Sequence, residues 1–244
     1  MERYLTTYLK RKGKAIAAEA VRLFEETSKA EDSDRAAELI AQLDINFEDL
    51  VPEMQDLLIE TAREGVMAGA AQISLTAIGA TKQANERAVE WAMDRAAELV
   101  GMKWVNGELV ENPNAEWSIS QSTREMIHGD VNRAIDEGWS NDRLADSLME
   151  NEAFSESRAL MIARTETAFA DIQGNLAAYE EAKAVIGEVK VEWITAQDDR
   201  VSDECEMNDG EVREIGEAFP SGATEPPQHP NCRCDLLPVI VGVE

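Results

Sequence analysis

Cys205, His229, Cys232 and Cys234 bring together residue types that are scarce in this chain. Its 244 residues hold three cysteines and two histidines, and all but His128 fall between positions 205 and 234. Three thiols and one imidazole suit tetrahedral zinc. The stiff run Pro226-Pro227-Gln228-His229-Pro230 suits a knuckle that presents ligands without a large core. The Cys-x-Cys spacing of Cys232 and Cys234 is tighter than the Cys-x-x-Cys of common zinc fingers. An oxidative pairing of Cys205 with Cys232 or Cys234 is the competing reading. An odd number of thiols confined to the last forty residues argues against a disulfide framework and for synthesis in a reducing cytosol.

A second cluster is Ile162-Ala163-Arg164-Thr165-Glu166, early in a long helical stretch. Arg164 and Glu166 are two residues apart, so they cannot pair on one helical face and each must project toward another partner. A buried ion-pair network is the favoured reading and a functional surface the alternative. A third cluster is the basic head, Lys10, Arg11, Lys12 and Lys14. It can serve as a solvated helix face or as a contact to DNA, to an acidic partner or to the body of this protein.

Enzyme signatures are missing. There is no Walker-type loop, no Gly-x-Ser-x-Gly and no His-Glu-x-x-His. A zinc deaminase needs His-x-Glu before Pro-Cys-x-x-Cys, whereas His128 is followed by Gly129-Asp130. Gly138-Trp139-Ser140 has helix-turn-helix spacing, but a following helix with Asp142 and Asp146 faces phosphate with the wrong sign.

The elements that must position these residues read as predominantly α-helical α+β. Apolar spacing predicts helices over 4–28, from a Ser33 or Asp32 cap through Leu43, from Pro52 through Met67, and over 84–100 with Gly101 as the stop. Asn106-Gly107 between short apolar runs predicts a hairpin. Helices resume at Ser118, at the Ser140 cap, and over 155–186, ended by Gly138 and Gly187. Val189, Val191 and Trp193 alternate with polar residues as a half-buried strand, and 236–243 reads as a last strand.

Lys and Arg number 23 against 49 Asp and Glu, a net charge of −26. Residues 1–14 carry five basic side chains and one acidic, a net of +4, so the remainder stands at 18 against 48, or −30. Such a body repels phosphate and does not coat DNA. An apolar content of 44% with 30% charged residues is globular. No apolar run reaches the roughly 18–20 residues of a membrane span, and the N-terminus does not read as a secretory signal.

The order of these elements resembles the phage Mu F-like family of head morphogenesis (minor capsid) proteins. The residues that carry the resemblance are Arg158-Ala159, the Ile162–Glu166 tract, Trp193-Ile194-Thr195, Asp198-Asp199-Arg200-Val201, Cys205, Asp209-Gly210 and the closing Pro226–Cys234 run. The match covers about residues 118–244. It divides the chain into a helical region 1–101, a hairpin linker 102–117 and a head morphogenesis module 118–244 with its Cys/His knuckle. Family members commonly carry Cys-x-x-Cys where this chain has Ser202-Asp203-Glu204-Cys205, which leaves Cys205, His229, Cys232 and Cys234 as ligands and Asp203 as a spare oxygen donor.

The resemblance implies a non-enzymatic minor head protein of a tailed phage, with structural zinc in the knuckle. It implies action in procapsid assembly, first in the host cytoplasm and then inside the virion head. The implied partners are the portal, scaffold or major capsid protein, with effects on DNA packaging or ejection and weak contact to packaged DNA through the basic head. The alternative is a metal-dependent hydrolase or nuclease with Asp203, Glu204 or Asp209 as general base.

Overall fold

A computed structural model describes residues 1–27, 35–73 and 78–241. The expected Ser33 or Asp32 cap lies outside the described residues. The chain is predominantly helical with small antiparallel sheets, as its apolar periodicities require. Two compact units divide it: Met1–Pro52 with Ala97–Ala163, and Glu53–Ala96 with Arg164–Glu244.

In the first unit, α1 (Glu2–Thr27) buries Leu5, Tyr8, Leu9, Ile16, Ala20, Leu23 and Phe24, the stripe that spacing of three and four produces. It packs on α2 (Arg35–Gln42) and on the helix that follows Ser140. The chain then supplies two helices that belong almost wholly to the second unit, α3 (Val51–Gln72), with Pro52 in its first turn, and α4 (Ile78–Glu98), after which Gly101 takes φ +83°. Strands β1 (Met102–Val105) and β2 (Glu108–Glu111) pair through Asn106 and Gly107, both at positive φ, as a two-residue hairpin demands. Ser118 caps α5 (Ile119–Asp136) by accepting from Gln121 N–H. Ser140 caps α6 (Asn141–Glu150) by accepting from Arg143 N–H.

Long helix α7 (Glu156–Ile186) ends before Gly187, which takes φ +98°. In the second unit it approaches α3 closely where glycines face it. A methyl group on Gly174 would run into the α3 backbone at Ala62 and Val66, and one on Gly65 into the carbonyl of Asp171. The sheet of this unit has order β4-β3-β5, fully antiparallel, with β3 (Val189–Ile194) central, β4 (Val212–Glu214) on one edge and β5 (Asp235–Ile240) on the other. Pro238 faces Val191 across an edge strand, where its missing N–H costs no ladder bond. Val189, Val191 and Trp193 point into a core that also holds Ile172, Leu176, Tyr179, Phe219, Leu236, Cys205 and Cys232. Two of the thiols are therefore part of the apolar cluster.

Candidate metal centre

Residues after β3 fold by local polar bonding. Ser202 caps the short helix α8 (Asp203–Glu206), its Oγ accepting from Cys205 N–H at 3.3 Å. Gly210 returns to donate to Trp193 O, and Asp209 Oδ1 accepts from Thr195 N–H, closing the turn. Fully buried Asn208 then ties the next loop. Its side chain donates to Ser221 Oγ at 2.8 Å and accepts from Ser221 N–H at 3.0 Å. Ser221 Oγ donates to Gln228 Oε1, and Gln228 Nε2 donates to Cys205 Sγ at 3.1 Å. These bonds bring the Pro-rich loop, whose Pro226-Pro227 bond is cis, over α8.

Cys205, His229 and Cys232 converge there, with one donor atom of each lying within 4.8 Å of the others. His229 Nε2 stands 3.2 Å from Cys205 Sγ and 3.2 Å from Ser202 Oγ. Cys205 Sγ stands 3.7 Å from Cys232 Sγ. All three cysteines are free thiols, and a disulfide would need the sulfurs at about 2 Å. Two sulfurs bound to one tetrahedral zinc at about 2.3 Å each would lie about 3.8 Å apart, which the observed spacing meets. The imidazole is set for the same task. Its Nδ1 faces Pro230 O at 2.9 Å, and because a carbonyl only accepts, Nδ1 carries the proton and Nε2 offers its lone pair.

Cys234 supplies the third sulfur and stands outside the group of three mutually close donors. Its interaction with Cys232 lowers the pKa of the Cys232 thiol and raises that of Cys234, so Cys232 is the more acidic of the two. Backbone N–H groups of Cys234 and Gln228 support the Cys232 thiolate. Trp193 Nε1 is buried without a well-formed hydrogen bond, and the group it favours is the Cys234 sulfur in its charged form. A donor set of soft sulfur and imidazole, with N–H groups turned toward sulfur, fits a zinc-class cation. Asp203 and Glu204 are exposed on α8, apart from the converging donors, and Asp209 is occupied by Thr195.

The Arg-Thr-Glu tract is placed beside the knuckle. Thr165 Oγ1 accepts from Asn231 N–H at 3.0 Å. Glu166 receives two bonds from Arg95, Nε to Oε2 at 2.9 Å and Nη2 to Oε1 at 2.8 Å, with both side chains 3% exposed. Arg164 lines an open cavity of about 680 Å³ with Asp171, Arg200, Arg233, Asp235 and the loop from His229 to Cys234. Burial raises the Asp171 carboxyl, and the charge of Asp235 raises it further. Arg95 escaped the sequence reading. The signal that could have found it is its place on the small-residue face of α4, beside buried Ala88, Ala92 and Ala96.

The basic head faces this protein's own acids. Lys10 pairs with Glu156 at 3.3 Å, and Lys12 and Arg11 pair with Asp49 at 3.3 and 3.6 Å. Arg11 also sits over the Tyr8 ring and Lys12 over Phe47, while Lys14 is exposed. Burial works to raise the Asp49 carboxyl, but the Tyr8 hydroxyl, Lys12 and Arg11 outweigh it and hold it below the usual range. His128, the histidine outside the knuckle, is exposed on α5 and contacts Asn132.

A helix-framed, three-stranded sheet carrying a Cys/His knuckle is the kind of module that these residues define. Residues 125–237 match the family described as Phage Mu protein F like protein, so the resemblance read from the sequence holds over that stretch. A protein of Haemophilus influenzae (strain ATCC 51907 / DSM 11121 / KW20 / Rd), described as "Uncharacterized protein", is 30% identical over 124 residues. That alignment covers 50% of this chain and 26% of the relative, so the chain spans about a quarter of that protein's length. No solved structure matches the chain. Among the described residues, no helix is long and apolar enough to cross a membrane.

Proposed function

We propose that this chain is a structural protein of a tailed-phage head, acting in procapsid assembly at or near the portal. In this reading it holds structural zinc through Cys205, His229, Cys232 and Cys234. The observation that carries the proposal is a coincidence: the Mu F-like match over 125–237 contains both the converging Cys/His donors and the tract that buttresses them. Zinc would supply folding energy to the loop-rich stretch that follows β3. Residues 118–244 would form that module, and the helical region 1–101 would contact portal, scaffold or major capsid protein. The protein would be made in the host cytoplasm and carried in the virion head, with effects on DNA packaging or ejection. Lys14 and the outer parts of Lys10 and Arg11 are the cations of the basic head that remain open to packaged DNA or an acidic partner.

The test is fractionation of phage particles and procapsids. The protein is expected in both and in complex with the portal. Cys232→Ser is expected to reduce incorporation together with the thermal stability that zinc confers. Absence from particles contradicts the head assignment, and metal-dependent cleavage of DNA or a head protein by the purified chain would favour a hydrolase instead.

A further inference from the structure

The Arg164-Thr165-Glu166 tract lies beside the converging donors, and the way it acts on them can be read from its contacts. Thr165 is 4% exposed on α7, and its Oγ1 accepts a hydrogen bond from the backbone N–H of Asn231 at 3.0 Å. Asn231 lies between two of the converging donors, two residues after His229 and one before Cys232. It takes φ +59°, a left-handed conformation that asparagine adopts more readily than other non-glycine residues. That conformation allows Cys232 N–H to reach back to His229 O at 3.1 Å, closing the turn that sets the two donors side by side. The next residue on α7, Glu166, is locked to Arg95 by two bonds in a buried site, so the helix offering Thr165 is itself held.

We propose that Thr165 is a positioning residue for the metal loop: its hydroxyl holds the Asn231 amide and thereby fixes the spacing of His229 Nε2 and Cys232 Sγ. The inference rests on the reading of the knuckle as a zinc site. Groups that orient ligands without touching the metal typically change affinity by about 10–100-fold when removed. Thr165→Val keeps the branched shape and removes the acceptor, leaving a half-buried amide unpaired. Thr165→Ser keeps the acceptor.

Zinc affinity is measured on the full chain by competition with a chromophoric chelator, alongside thermal melts in excess chelator. The expected result is a loss of about 10–100-fold in zinc affinity for Thr165→Val, with parent-like affinity for Thr165→Ser. Equal affinity of Thr165→Val and the parent overturns the inference, and so does an equal loss in both variants, since the hydroxyl would then not be the acting group. A role limited to general stability would lower the metal-free melt and leave affinity unchanged. A parent chain that takes up no zinc overturns the zinc reading itself, and this inference with it, before any variant is compared. If Thr165→Val fails to fold, amide hydrogen exchange of Asn231 in the zinc-loaded parent decides. Slow exchange is expected, and exchange at the rate of an unstructured amide overturns the inference.

Discussion

Each unit buries an arginine to 4% exposure, and the two are held in unlike ways. Arg158 in the first unit is surrounded by neutral acceptors: Thr123 Oγ1 at 2.9 Å, Ala153 O at 2.6 Å, Ser122 Oγ at 2.7 Å and Ile119 O at 3.3 Å. Burial lowers its pKa to about 10, so it stays charged at neutral pH without a carboxylate in contact. Arg95 in the second unit meets Glu166 in a two-bond ion pair and lies against the Phe169 ring. Removing Arg158 strands acceptors that lose about one hydrogen bond each. Removing Arg95 strands a charge in a low-dielectric site, which is the costlier defect.

The sharpest way to break that comparison is Arg95→Met against Arg158→Met. Arg95→Met is expected to lose about 3–5 kcal/mol of stability in urea unfolding, and the pair Arg95→Met with Glu166→Leu to regain most of it. Arg158→Met is expected to lose less, about 1–3 kcal/mol. Equal losses would mean that the Glu166 charge finds water once Arg95 is gone.

Next in size is a pair of glycines. Gly174→Ala is expected to destabilise by about 1–3 kcal/mol, because a methyl there meets the α3 backbone. Gly129→Ala faces open space on α5 and is expected to stabilise by about 0.5–1 kcal/mol through lower unfolded-chain entropy. Thermal melts of both variants check the opposed signs.

A smaller effect concerns pH. The folded Asp49 carboxyl is held below its usual pKa, so its contribution is present above the ordinary carboxylate range and lost as pH falls through the depressed value. Asp49→Asn should therefore cost under about 1 kcal/mol near neutral pH, since the Asp49 side chain is itself 55% exposed, and nothing in strong acid. Denaturation at pH 7 and pH 2 separates the two. Smallest of all, Lys10→Ala is expected to change stability by no more than about 0.5 kcal/mol, because its bond to Glu156 is solvent-exposed.

The helices were legible because their determinants are local. The stripe of Leu5, Tyr8, Leu9 and Ile16 repeats every three or four residues, and Ser118, Ser140, Gly138 and Gly187 mark ends by chemistry confined to one turn. The hairpin at Asn106-Gly107 follows for the same reason. The gathering of Cys205 with His229 and Cys232 could be suspected from residue type alone. What holds them could not. Ser202 reads as a lost thiolate, yet its hydroxyl caps α8 and touches His229. Strand β4 has three residues and no full alternation to announce it. Thr165 meets Asn231 across 66 residues and Glu166 meets Arg95 across 71, and neither separation leaves a periodic trace. Such contacts are set by the tertiary fold, so a single sequence marks the participants without pairing them.

The proposed zinc site would use Cys205, His229, Cys232 and Cys234 to hold one ion. Native mass spectrometry of the full chain, purified under reducing conditions and supplied with zinc, tests it most directly. One zinc per chain is expected, absent from Cys232→Ser. A parent chain that remains metal-free with zinc in excess would contradict it.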